Sequence, residues 1–405
     1  MADIDPQTGP ARAREAAARD MLARMVAHAA ANQTDRSEGP LAVPAKLYTC
    51  PDRFALEQQK LFREMPLVAG LSKDIPNPGD VMLFEAAGPS ILVGRAKDGS
   101  VRAFRNLCTH RGAKLLLGEE AVCTRKPRLT CPFHAWTFDL EGRLIAQPGK
   151  PGFEGHPEGR RDLFPVAVRE WNGLIFVQPE SAGDGGQMDL QAHLADFAPV
   201  LAMLELEKAE PVKRGHMDCA ANWKYALDTY GEGYHFASLH PNNIGITHMS
   251  DVGVFDAYGR HHRISFPTKA MAEMASMPSE QWPASDYGGV HFLFPNTVIF
   301  VGSVEPGKTF IQLFRLFPHD VGHMRCQFAV YAPGGVRDET HRLENEMGFD
   351  LTKQVVETED YRQSEQSFAN LLAAPPGFNV ILGSNEIALQ RLQRNIADVL
   401  GIPLE

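Results

Sequence analysis

Residues 108–136 read CTHRGAKLLLGEEAVCTRKPRLTCPFHAW, and they hold two pairs of metal ligands, Cys108 with His110 and Cys131 with His134, with twenty residues between the pairs. Two thiolates and two imidazoles suit either of two centres. One is a structural zinc closed in a tetrahedral Cys₂His₂ set. The other is a [2Fe–2S] cluster in which one iron takes both cysteines and the other both histidines, an arrangement that raises the reduction potential. Each pair mixes one Cys with one His, so two loops would each present one ligand to each iron and clamp a binuclear centre from both sides. That favours the cluster.

The flanking sequence suits loops on a small β domain. From Leu47 to Pro179 short apolar runs alternate with Gly and Pro, as in Val81-Met82-Leu83-Phe84, Ser90-Ile91-Leu92-Val93 and Leu174-Ile175-Phe176-Val177, and Asp98-Gly99 and Glu141-Gly142 read as hairpin turns. Residues 181–186 read as a linker, so a boundary is expected there. Before the β domain, residues 11–31 are alanine-rich and predict a helix, followed by a polar linker over 32–44. After the linker come a helix-like stretch at 189–204, strand-like runs near 212–219, 262–266, 290–301, 309–317 and 324–331, and helices over 338–357 and 384–400. The expected fold class is α+β: a small antiparallel β domain over 46–180, then helices on an antiparallel sheet over 181–405, with 1–45 packing on the latter.

Composition narrows the function. The 405 residues are 44% hydrophobic and 22% charged, ordinary for a globular chain. A net charge of -10 without a basic block argues against nucleic acid and anionic membrane as partners. No apolar run spans a membrane and the N-terminus has no secretory pattern, so a cytoplasmic location is expected. Six cysteines are too few for a disulfide scaffold. Cys123 has no histidine at ligand spacing and reads as a spare thiol; Cys50, Cys219 and Cys326 read as buried small hydrophobes.

A second constellation lies in 222–240, NWKYALDTYGEGYHFASLH. His235 and His240 are five apart, which on an ideal helix turns about 140°. Both could face one metal only if the helix stops, and Pro241 pushes His240 out of helical geometry. Asp228, Glu232 and His235, spaced four and three, would share one helical face, while Gly231 and Gly233 weaken that helix. Two histidines with one carboxylate form a facial triad that leaves iron positions open for O₂. Glu357, Glu359, Asp360 and Glu365 are the downstream candidates, and spacing alone does not choose among them.

Cys-x-His-Arg-Gly followed by Cys-Pro-x-His-x-Trp resembles the Rieske domain of ring-hydroxylating oxygenases, and Asn222-Trp223-Lys224 followed by Tyr234-His235 and His240 resembles their catalytic domain. The resemblance runs from about residue 46 to the end. It implies a Rieske domain with Cys108, His110, Cys131 and His134 on the cluster, then a helix-grip catalytic domain with Fe(II) held by His235, His240 and Asp360 and with Asn222 near the iron. It also implies that the carboxylate three residues before the first iron histidine bridges that ligand to a cluster histidine, His110 or His134, of a neighbouring subunit. The family's two centres are far apart within one chain, so the electron path implies a cyclic oligomer, usually a trimer, as α3 or α3β3. The chain departs from the pattern in three places: the loop between the ligand pairs is a few residues longer, Ala135 stands where glycine is usual, and Glu232 stands where aspartate is usual.

By this resemblance the chain is the terminal oxygenase of a multicomponent system, using O₂ to hydroxylate or dihydroxylate a small organic, aromatic substrate. Electrons would come from NAD(P)H through a separate reductase, with a ferredoxin possible, since no dinucleotide fingerprint occurs here. Two alternatives stand beside it. Glutamate at the bridging position is associated with members acting on quaternary ammonium compounds, which points to N- or O-demethylation or C–N cleavage; a non-catalytic Rieske electron carrier is the other. Phe236, Met249, Val254, Phe292, Phe294 and Val298 are candidate pocket residues, Arg260 and Arg263 candidate contacts for a substrate carboxylate. His248, His261, His262 and His291 read as structural.

Overall fold

The long apolar strands of the C-terminal half build one antiparallel sheet in a computed structural model that describes residues 9–85, 88–118, 124–155, 161–180, 188–283, 288–303 and 308–404. Its strands lie in the order Glu210–Cys219, His323–Ala332, Thr309–Asp320, Thr297–Ser303, Gly289–Leu293, His261–Ser265 and Val254–Tyr258. All neighbours in it are antiparallel. The apolar run at 290–301, expected as one strand, is a hairpin, because Phe294-Pro295-Asn296 turns the chain between its halves.

The chain divides into two compact units. The first comprises Met1–Glu57, Leu194–Glu205 and Ala209–Glu405, and the seven-stranded sheet is its centre. Its N-terminal helix, Gly9–Ala31, buries Met21, Leu22 and Val26 with Val254. The stretch expected as a polar linker contains a strand, Leu41–Pro44, which pairs antiparallel with Asn379–Leu382. Lys46–Glu57, expected with the β domain, belongs to this first unit for a physical reason. Glu57 is fully buried and accepts hydrogen bonds from Lys224 Nζ at 2.5 and 2.7 Å and from the Trp223 indole at 2.9 Å, while the Tyr48 hydroxyl donates to Asp228 at 2.9 Å. A buried ion pair of this kind is costly to break.

The second unit comprises Gln58–His193 and Leu206–Lys208 and is built from three small antiparallel sheets. Four strands run in the order Val101–Arg105, Ile91–Arg95, Asp80–Phe84 and Thr124–Arg125; three more are Leu129–Thr130, Thr137–Phe138 and Leu144–Ala146; and Leu67–Leu71 joins the hairpin Ala167–Trp171 with Leu174–Gln178. Asn172 (φ 43°) and Gly173 (φ 81°) turn that hairpin in the left-handed geometry such two-residue turns demand. A Cβ on Gly173 would lie 2.2 Å from the Glu207 backbone nitrogen, so no side chain fits. The expected linker at 181–186, and Cys123, lie outside the described residues. Cys219 and Cys326 are buried as expected, whereas Cys50 is only half-buried. Among the described residues no helix is long and apolar enough to cross a membrane.

Candidate metal centres

In the second unit the two ligand pairs sit on matched tight turns. The Gly112 N–H donates to the Cys108 carbonyl at 2.8 Å, and the Ala135 N–H donates to the Cys131 carbonyl at 3.0 Å. The closing residue of each turn is left-handed, Gly112 at φ 77° and Ala135 at φ 57°. This explains why glycine is the natural residue at the second position: a Cβ there is strained by roughly 1–2 kcal/mol. Both cysteines are buried in an apolar cluster with Leu115, Leu129, Trp136 and Phe138. Burial raises the Cys108 thiol, the His110 N–H opposes that, and the neighbouring Cys131 sulfur adds to it. The imidazoles of His110 and His134 lie edge to face at 4.7 Å, and His110 stacks on Trp136 at 4.8 Å. Their Nδ1 atoms are buried without a hydrogen-bond partner. Two sulfurs and two orphaned imidazole nitrogens converging between two loops are the donor set a [2Fe–2S] cluster would satisfy.

In the first unit the stretch 222–240 is not one helix. Trp223–Asp228 is helical, the chain then turns irregularly through Gly231 and Gly233, and a single helical turn, Phe236–Leu239, ends at His240. The break comes where glycines replace helix formers, and Gly231 packs closely, because a Cβ there would meet the end of the Leu389 side chain at 2.7 Å. The expectation that Asp228, Glu232 and His235 share a helical face therefore fails. Glu232 instead folds back: one oxygen accepts the His235 N–H at 3.2 Å and that of Tyr234, and the other meets His235 Nδ1. Helix termination at His240 before Pro241 agrees with the expectation.

The third member arrives on a helix that the sequence did not reveal as irregular. Glu339–Val355 continues into a π-helical turn, Val356–Asp360, before resuming as Tyr361–Leu372. Such turns cluster at functional sites because the extra residue re-aims side chains. Asp360 Oδ1 faces His235 Nε2 at 3.5 Å and His240 Nε2 at 3.3 Å. One ligand atom from each of the three lies within 4.8 Å of the others. Glu359 takes the far side of His240, at 2.5 Å from Nδ1, and its other oxygen accepts Asn243 Nδ2 at 2.8 Å. Each imidazole is thus clamped at Nδ1 by a glutamate and turned with Nε2 toward Asp360. Two nitrogens and one carboxylate on one side fit a divalent iron with free positions opposite. Of the other downstream candidates, Glu357 pairs with Lys353, and Glu365 caps the Ala220 N–H at 3.0 Å.

Charge supports the same geometry. Burial disfavours the His235 imidazolium, but hydrogen bonds to Asp360 and Glu232 outweigh it and raise the group to about 9. His240 is raised against burial by Asp360 and Glu359. Asp360 is lowered despite burial by the two histidines. The carboxylates make this a site that attracts positive charge.

Asn222, expected near the iron, is a helix cap. Its Oδ1 accepts the Lys224 N–H at 3.1 Å and its Nδ2 donates to the Val321 carbonyl at 2.9 Å, so both polar ends are spent on backbone. Arg260 and Arg263 are paired with Asp398 and Asp256. His248 contacts the Thr247 hydroxyl and His261 accepts the Phe294 N–H. Beside the irregular turn lies a cavity lined by Asp228, Tyr230, His262, Phe292, Val298 and Leu389 among others. Of the six candidate pocket residues, Phe292 and Val298 line it.

Residues 65–157 match the Rieske [2Fe-2S] domain and residues 206–402 the catalytic domain of the ring hydroxylating alpha subunit. The chain belongs to the Rieske non-haem iron oxygenases. Members carry a Rieske [2Fe–2S] cluster and a mononuclear iron, which the two donor sets above fit. It is 31% identical over 230 residues to the glycine betaine monooxygenase oxygenase subunit of Chromohalobacter salexigens, covering 56% of this chain and 47% of that one. It is 32% identical over 202 residues to the carnitine monooxygenase oxygenase subunit of Escherichia coli K12, covering 49% and 52%. The matches thus span about half the length of these relatives. In fold it resembles the quaternary ammonium Rieske monooxygenase CntA in complex with L-carnitine, with a TM-score of 0.73, 22% identity, and coverage of 88% of this chain and 95% of that one.

Proposed function

We propose that this chain is the terminal oxygenase component of a monooxygenase that acts on a quaternary ammonium compound, by N-demethylation or C–N cleavage. The observation that carries the oxygenase reading is the convergence of His235 Nε2, His240 Nε2 and Asp360 Oδ1 on one point. The relatives named above support the substrate class, and glutamate at position 232 supports it too. An aromatic substrate, the first expectation from sequence, has less behind it.

His235, His240 and Asp360 would hold the iron, which supplies activation of O₂ when bound. Cys108, Cys131, His110 and His134 would hold the cluster. Glu232 and Glu359 each hold the Nδ1 proton of one histidine, which fixes the tautomer and leaves Nε2 free as a donor. Glu232 would also contact a cluster histidine of a neighbouring copy, as the family's electron path requires, and a trimer would supply that neighbour. Each unit exposes large apolar side chains beside its centre, Phe133 and Leu117 in one, Tyr234 and Ile246 in the other, as expected of surfaces that become covered. A reductase drawing on NAD(P)H, with or without a ferredoxin, would be the electron source.

The test is turnover by purified, iron-loaded protein with a surrogate reductase and NADH. Glycine betaine, carnitine and choline are compared with simple arenes and benzoates. Oxygen uptake coupled to formaldehyde or to trimethylamine supports the proposal; a cis-diol from an arene with no onium turnover overturns it.

A further inference from the structure

The cavity beside the metal centre has an unusual lining. Its walls are largely apolar, with Leu227, Val290, Phe292 and Leu392, and the space between them is small. Two polar atoms on this lining are buried without a hydrogen-bond partner, Asp228 Oδ1 and His262 Nδ1. Asp228 keeps its other oxygen on the Tyr48 hydroxyl at 2.9 Å. His262 is 4% exposed and stacks on Phe292 at 4.6 Å. Burial and the nearby Arg391 lower it to about 3, so it is a neutral ring. The Tyr230 hydroxyl is bonded to that of Tyr361 at 2.8 Å, which leaves its ring to the cavity. Tyr361 follows Asp360, and Gly231 precedes Glu232, so one wall of the cavity is continuous in chain with the metal site.

We propose that this cavity seats a methylated ammonium head group and that Asp228 is its counter-ion. The inference rests on the substrate class proposed above and adds the residues that would enforce it. Of the cations nearby, Lys224 is ion-paired with Glu57, and Arg391 gives one terminal nitrogen to the Gly259 carbonyl at 2.6 Å while its Nε is buried without a partner. Burial raises Asp228 well above the usual carboxylate range; the Tyr48 hydrogen bond and the Lys224 ammonium oppose this, and Glu386 and Glu232 add to it. A cation seated beside Asp228 would favour its charged form and displace its proton. An arene fills the apolar walls but leaves Asp228 Oδ1 without compensation, which is unfavourable for a buried polar atom. A compact cation with a methyl surface matches both features, since ring faces and a carboxylate attract diffuse positive charge while the methyl groups pack on the leucines and valines. Asp228 is thereby a specificity-determining residue.

Choline and its neutral carbon isostere, 3,3-dimethylbutan-1-ol, differ in this head-group charge and test the idea on the iron- and cluster-loaded protein without reductase. By calorimetric titration, the wild type is expected to bind choline at least tenfold more tightly than the isostere. Asp228→Asn should lose that preference, whereas Tyr48→Phe, which keeps the carboxylate, should retain it. Equal binding of the two probes by the wild type overturns the assignment and needs no variant; so does an Asp228→Asn protein that still prefers choline. The turnover assay separates the two levels. Onium turnover alongside an unaffected Asp228→Asn preference removes only the role of Asp228, and absence of both onium turnover and choline binding removes the substrate class with it.

Discussion

Glu359 closes on His240 at 2.5 Å from Nδ1, while the next residue, Asp360, faces the same ring's Nε2 at 3.3 Å. On a regular helix neighbouring side chains diverge by about 100°. The π-helical turn over Val356–Asp360 lets both reach one imidazole.

Glu359 should therefore tune the iron without binding it. Glu359→Gln is expected to reduce iron affinity about 10- to 100-fold, the usual range for losing a carboxylate behind a histidine ligand. Iron content after dialysis against a graded chelator measures it, with the cluster's visible spectrum as the internal control. Unchanged iron retention would remove this role.

Iron and protons compete for the same histidine nitrogens, so affinity should rise with pH. His235 lies at about 9 against an ordinary 6.5. In metal-free protein its ion pairs contribute stability that is fully present below 6.5 and fades as pH rises through 9. Metal binding has the opposite sign and strengthens across that interval. Glu232→Gln removes one of the groups that raise His235, so the midpoint for iron uptake should move to lower pH, as read by metal titration at several pH values.

Glu232→Asp asks a different question. If Glu232 is the electron bridge, both metals should be retained while oxidation of the reduced cluster slows at least tenfold, by roughly 1.4 kcal/mol or more in barrier. Stopped-flow absorbance of the cluster measures this. Unchanged rates in both Glu232→Asp and Glu232→Gln would remove the bridge.

Ala135 occupies a left-handed position at φ 57°. Ala135→Gly should stabilise the cluster-bearing unit by about 1 kcal/mol, and Gly112→Ala, at φ 77°, should destabilise it similarly. Denaturant midpoints followed by cluster absorbance give both values.

Glu57 and Lys224 are 0% and 1% exposed in their side chains. Burial pulls the Lys224 ammonium down and Glu57 holds it charged. Glu57→Ala leaves two buried cations, Lys224 and Arg53, without their carboxylate and should cost about 3–5 kcal/mol, whereas Glu57→Leu with Lys224→Met should recover only the Lys224 share, because Arg53 stays buried. Chemical denaturation of the wild type and both variants measures this.

The sequence by itself determined the donor atoms. Cys-x-His and Cys-x-x-His are local patterns, and the break before Pro241 is a local steric effect, so both were legible before any fold was known. Strand periodicity likewise located most of the large sheet. What a one-dimensional reading misses is contact between distant segments. The pairing of Leu41–Pro44 with Asn379–Leu382, the burial of Glu57 against Lys224 and the capping role of Asn222 all depend on partners far along the chain or on backbone direction. Among the downstream carboxylates spacing did not choose, and the resemblance alone pointed to Asp360; the π-helical turn is what faces Asp360 to both histidines and stands Glu359 behind one. Residue types state which atoms can bind a metal; the path of the backbone states which of them meet.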